Sequence, residues 1–128
     1  MDFKVGDIIL IPLYHEIFDN EKIQSLSSEL VSTSRIDWDS SETSWDFSKH
    51  PLLTGTTIEK AFANWQKDWE LRFANVKFNE EKINSILIDM YELQDELSPE
   101  VDEKAITIRK ADLQMDIKSL ISYAVGCM

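Results

Sequence analysis

Large apolar residues recur at intervals of three and four from Thr57 to Leu97, in two consecutive series. Ile58, Phe62, Trp65, Trp69, Phe73 and Val76 form the first, and Ile83, Ile86, Leu87, Met90, Leu93 and Leu97 form the second. This is the period of an amphipathic helix, and no Gly or Pro interrupts it. At 1.5 Å per residue a continuous helix there would be roughly 60 Å long. The polar patch Asn79, Glu80, Glu81 and Lys82 breaks the apolar series. A kink or short break at that point would divide the rod into an aromatic first half and an aliphatic second half. Thr56 or Thr57 can cap the start, and Pro99 ends the pattern.

The same reading organises the flanks. Val5, Ile8, Ile9, Leu10, Ile11 and Leu13 make a β-branched-rich run bounded by Gly6 and Pro12, which predicts an extended linker over residues 1–19. Asp19 or Asn20 caps a short helix over Glu21 to Thr33, with Ile23, Leu26, Leu30 and Val31 on one face. A Trp-rich irregular segment completes residues 20–56. After Ser98–Lys104 turns the chain, Thr107 is a plausible cap for a last helix, whose stripe is Leu113, Ile117, Leu120, Ile121, Ala124 and Val125. A short connection makes consecutive helices antiparallel neighbours. The last helix is therefore expected to fold back on Ile83 to Leu97, giving a helical hairpin over residues 57–128. The fold class is mainly α: a single helical domain built on one long amphipathic helix and a C-terminal partner.

Composition supports a real core, with 43% hydrophobic and 10% aromatic residues. Asp and Glu outnumber Lys and Arg by 24 to 13, and the resulting formal charge of −11 works against independent binding to a phosphate backbone. Cys127 stands alone, so it reads as a reduced, cytoplasmic thiol, buried as a small residue on a helix. No run approaches the length of a transmembrane helix, and the N-terminus lacks the pattern of an export signal. A soluble, cytoplasmic chain is expected, without a membrane partner. SLISYAVGCM stops inside an apolar helical pattern with no cap or breaker, which predicts that the natural chain continues past Met128.

The most unusual composition lies between Arg35 and Thr54. Trp38 and Trp45 lie among Asp37, Asp39, Glu42 and Asp46, followed by Phe47 and His50-Pro51. Ser and Asp at this density favour turns, so the segment is expected to pin its aromatic rings onto neighbouring helices. A metal site of Asp37, Asp39, Glu42, Asp46 and His50 lacks the ligand spacing and the glycine of a calcium loop. Trp65 and Trp69 share a helix face; acidic neighbours make core packing the better reading than base stacking. Arg109, Lys110 and Lys118 read as a solvated basic face of the last helix. With Gly6, Gly55 and Gly126 as the only glycines, neither a dinucleotide fingerprint nor a phosphate loop can be written. No nucleophile elbow or adjacent proline pair occurs, and His15 and His50 lie far apart. The chain alone is expected to be catalytically inert, with no metal or cofactor of its own. Its structural or interaction candidates are Trp38, Trp45, Phe47, Trp65, Trp69, Arg109 and Lys110.

Several motifs kept in order carry a family resemblance. DWDSSETSWDF at Asp37 to Phe47, KHPLL at Lys49 to Leu53, INSILIDMYELQDELSPEV at Ile83 to Val101 and ITIRKADLQMDIKSLISYAVGCM at Ile106 to Met128 are the principal ones. They resemble the region after the catalytic domain in BREX-type (phage growth limitation) adenine-specific DNA methyltransferases and related type II restriction-modification methylases. FKVGDI at Phe3 to Ile8 is similar to the link leading into that region. The resemblance implies a fragment of an enzyme that transfers a methyl group from S-adenosylmethionine to adenine N6 in antiphage defence. The family's cofactor glycines and its catalytic Pro-Pro-aromatic loop lie upstream and match no position here. The implied role is a non-catalytic spacer or scaffold that positions the catalytic and target-recognition parts, meeting DNA through the parent enzyme only. A module binding another defence-system protein is the alternative.

Overall fold

A computed structural model describes residues 12–128; most of the expected extended run Val5 to Leu13 lies outside the described residues. Within them the chain forms four α-helices and two 3-10 turns, and no strand. The first, α1 (Glu16–Asp19), is a single turn inside the stretch expected to be extended linker. Asn20 then caps α2 (Glu21–Asp39), its side chain accepting the N–H groups of Lys22 and Ile23, both at 3.1 Å. Helix α2 runs six residues past the expected end at Thr33. Its extra turns are held from outside: Thr33 is buried, and Asp37 accepts the backbone N–H of Arg109 at 2.9 Å. Tertiary bonds thereby override the turn preference of Ser34 and Asp37.

Thr57 caps α3 (Ile58–Met90), which is one 33-residue helix. It passes through Asn79 without a break, and Asn79 is itself buried on the packed face. The helix nonetheless ends seven residues short of Leu97. Glu92 adopts a left-handed φ of 55°. The N–H of Leu93 reaches back to the Ile88 carbonyl at 3.0 Å and that of Glu92 to Asp89 at 3.3 Å. This is the paired bonding of a Schellman cap, which usually places Gly where Glu92 stands. Without that Gly, the termination leaves little trace in the sequence.

The hairpin's second arm has two parts. After Ser98 the chain retraces α3 in mostly extended form, with one 3-10 turn at Glu103–Ala105. Asn84 donates to the Pro99 carbonyl at 3.2 Å, Glu81 accepts from the Val101 N–H at 3.3 Å, and Lys77 lies 3.9 Å from Glu103. Ile106 and Ile108 then bury against Val76, beside Phe73, Val101 and Leu30 of α2. Extended chain advances about 3.3 Å per residue against 1.5 Å in a helix, so Pro99 to Arg109 suffices to climb back to Trp65. The last helix, α4 (Leu113–Gly126), therefore packs beside the first half of α3 and not against Ile83 to Leu97: Leu120 and Ala111 lie on the cluster of Leu52, Ala61 and Trp65.

The connection between α2 and α3 is ordered by local bonds. His50 caps the 3-10 turn Pro51–Thr54, and Leu52 inserts beside Ala61 and Trp65. Gly55 lies so close to α3 that a Cβ there would stand 2.7 Å from the Ala61 nitrogen. Cys127, expected to be buried, is exposed beyond the end of α4. No helix of the described residues is long and apolar enough to cross a membrane.

Candidate functional site

The α3 face from Trp65 to Phe73 gathers aromatic rings and cations. Trp65 is buried, with the Arg72 guanidinium 4.7 Å from its ring centroid and that of Arg109 at 5.9 Å. Arg72 comes seven residues after Trp65 and so shares its face, a spacing that sequence reading could have used. Trp69 lies against Phe73, centroids 5.0 Å apart, and Lys110 reaches over Trp69 at 5.9 Å. The structure thus brings together Trp65, Trp69, Arg109 and Lys110, as core and cover of one face.

Arg109 is not on a solvated helix face, because α4 begins only at Leu113, capped by Asp112 and not by Thr107. Arg109 sits on the extended return, where alternation of buried Ile106 and Ile108 with exposed Thr107 carries the period of extended chain. Its guanidinium lies 3.1 Å from Asp116, a carboxylate only 2% exposed. The second Asp116 oxygen accepts the Asp112 N–H at 3.0 Å, and Asp112 accepts that of Met115 at 2.8 Å. Asp116 consequently locks the start of α4 to the return segment. The stripe expected to be its core face is split: Ile121 and Val125 are exposed while Asp116 is buried. The indole N–H groups of Trp65 and Trp69 and the Nε of Arg109 are buried without a protein partner among the described residues.

The acidic segment scatters its residues. Asp39 accepts the Ser44 hydroxyl at 2.6 Å, Asp37 is committed to Arg109, and Glu42 and Asp46 face solvent. His50 is buried, with Nδ1 accepting the Leu52 N–H at 3.2 Å and its ring 6.1 Å from Tyr123. Burial pushes the imidazole below its ordinary value, with Asp116 and Glu42 pulling upward against it. Among the described residues no group of three or more His, Cys, Asp or Glu is placed to hold a metal ion. Of the aromatic residues here, Phe47 packs edge-on against Tyr123 at 5.6 Å. The other two are not pinned as expected: Trp38 lies on the last turn of α2 at 59% exposure, and Trp45 is 102% exposed. A cleft of about 650 Å³ opens between the end of α2, the Lys49–Thr54 loop and α3, with Asp39 and Asp68 opposing Lys49 and Arg72 on its lining. Such mixed charge gives no field selective for a phosphate chain.

No protein-family model matches the chain, and no solved structure matches it. Curated relatives do. The chain is 44% identical over its whole length to a protein named adenine-specific methyltransferase PglX from Lacticaseibacillus casei, covering 11% of that protein. It is 23% identical over 99% of its length to adenine-specific methyltransferase BrxX from Escherichia coli, covering 12% of it. The chain thus spans about a ninth of the length of these relatives. From end to end the chain is thus similar to one stretch of these adenine-specific methyltransferases.

Proposed function

We propose that this chain is a non-catalytic helical spacer within a DNA adenine-N6 methyltransferase of an antiphage system, fixing the catalytic part relative to the part that recognises the target sequence. The supporting observation is that α3 is an unbroken helix of 33 residues, about 50 Å long, braced along its length by α2, the extended return and α4. An element of that kind holds two attachments at a set distance. Among the described residues no open glycine turn offers S-adenosylmethionine a close backbone approach: Gly55, the one glycine in a described loop, is closed against Ala61. Cofactor binding and methyl transfer belong in this reading to other parts of the parent chain, and DNA is met through them.

Deleting the hairpin, residues 57–128, from the parent enzyme tests the reading. With both flanking parts confirmed folded, site-specific adenine methylation should be lost; unchanged methylation would remove the proposal. A second reading, a docking module for another defence-system protein, draws on the exposed Trp38 and Trp45. It predicts co-purification of a second protein with the parent enzyme, weakened by substitution of those two residues.

A further inference from the structure

Trp45 stands clear of the molecule at 102% exposure, although tryptophan is among the most covered residues in folded proteins. Its loop is tied on both sides. The Ser44 hydroxyl donates to Asp39 at 2.6 Å, the Asp46 N–H donates to Ser44 Oγ at 3.1 Å, and the Ser44 N–H donates to the Ser41 carbonyl at 3.0 Å. Phe47, two residues on, is seated against Tyr123 of α4. Local bonding therefore holds a large rigid ring out in water, where it contributes nothing to this unit's own core. With the loop backbone held, only the two side-chain torsions of the indole remain to be fixed when it is covered, the low entropic cost that suits Trp as an interface anchor.

We propose that Trp45 is the anchor of a contact between this unit and another part of the same enzyme chain, inserting into an apolar pocket rimmed by Lys or Arg. The inference rests on the spacer reading and adds the attachment point that a spacer requires. The rim follows from the exposed Glu42 and Asp46, which flank Trp45 along the loop. These carboxylates and the formal charge of −11 would repel the phosphates of a nucleic-acid strand whose bases might otherwise stack on the indole. The chain is only 11% of the length of its PglX relative, so an enzyme of that kind offers a covalently tethered partner at high effective concentration.

Hydroxyl-radical footprinting of the full-length enzyme, read by mass spectrometry, tests this with Trp38 as the internal reference. In this unit Trp45 is the more exposed of the two, at 102% against 59%. The expected result without DNA is the reverse order, with Trp45 oxidised several-fold less than Trp38. Oxidation of Trp45 above Trp38 would overturn the proposal. Protection of Trp45 that appears only on adding duplex DNA, or only on adding a second protein, would overturn it too and assign the ring to that partner. Trp45→Ala touches no packed neighbour, so the unit should stay folded while protease cleavage at its junction with the rest of the enzyme rises several-fold; Trp45→Phe should fall between. Freely oxidised Trp45 together with methylation lost on hairpin deletion would sink this contact and leave the spacer reading standing. Protected Trp45 with methylation unchanged on deletion would do the opposite.

Discussion

Asp116 joins three things at once: it pairs with Arg109, accepts the N–H of Asp112, the cap of α4, and acts electrostatically on His50. Removing one partner of a buried ion pair leaves the other charge uncompensated. Asp116→Ala should therefore lower unfolding free energy by about 2–4 kcal/mol, the lower end applying because Arg109 keeps access to water. Urea unfolding measures this, and Arg109→Met combined with Asp116→Ala should cost less than the sum of the two single changes. Independent additivity would show that the pair is not coupled. His50 gives a pH signature. Burial holds its folded-state value below 6.5, so the unfolded chain binds the proton more readily. Stability should fall as pH drops through about 6.5 toward the folded value, and this loss should be absent above about 7. His50→Asn keeps an acceptor for the Leu52 N–H and removes that titration. Below pH 6.5 the variant should lose less stability than the parent chain; identical pH profiles would contradict the assignment.

Among the elements, the ends and joins of α3 decide how it is held. Glu92 occupies a left-handed position that costs an L-residue roughly 1–2 kcal/mol, less the extra chain entropy of a Gly. Glu92→Gly should stabilise by about 0.5–1 kcal/mol in thermal or urea unfolding, and a destabilised variant would show that the cap does not form. Gly55→Ala acts the other way. Its Cβ would meet the Ala61 backbone, which cannot move without shifting the first turns of α3, so a loss of about 1–3 kcal/mol is expected. These two positions also show what sequence reading could reach. Apolar spacing of three and four located α3, and Thr57 and Asn20 were legible as caps because their side chains act within a few residues. The stop at Met90 was hidden because Glu took the place of Gly. The return segment is masked by the helical pattern of Leu113 to Val125 that follows it, although Ile106 and Ile108 already alternate with Thr107. The site's charges are legible in part: Arg109 and Lys110 as a basic concentration and Arg72 by its spacing from Trp65, but Asp116 only through contacts made in three dimensions.

At the scale of the whole molecule, two apolar clusters distribute the stabilising contacts along α3. One joins Leu52, Ala61 and Trp65 to α4, and the other joins Val76 to Ile106 and Ile108 with Leu30 of α2. These contacts run from Ala61 to Val76 of the helix, which favours a stiff element over a tether. Meanwhile Trp45, Ile121 and Val125 are exposed apolar side chains among the described residues. Both features are what the spacer proposal expects of a part fitted into a larger enzyme; the chain spans 11% of its PglX relative. Deletion alone would show that the segment is needed. Replacing residues 57–112 of the parent enzyme by a flexible Gly/Ser linker of the same reach separates positioning from mere connection. The direct measurement is site-specific adenine methylation by that variant, taken alongside its S-adenosylmethionine affinity. Retained cofactor affinity with methylation abolished is the expected result; methylation at the parent's rate would contradict the spacer role.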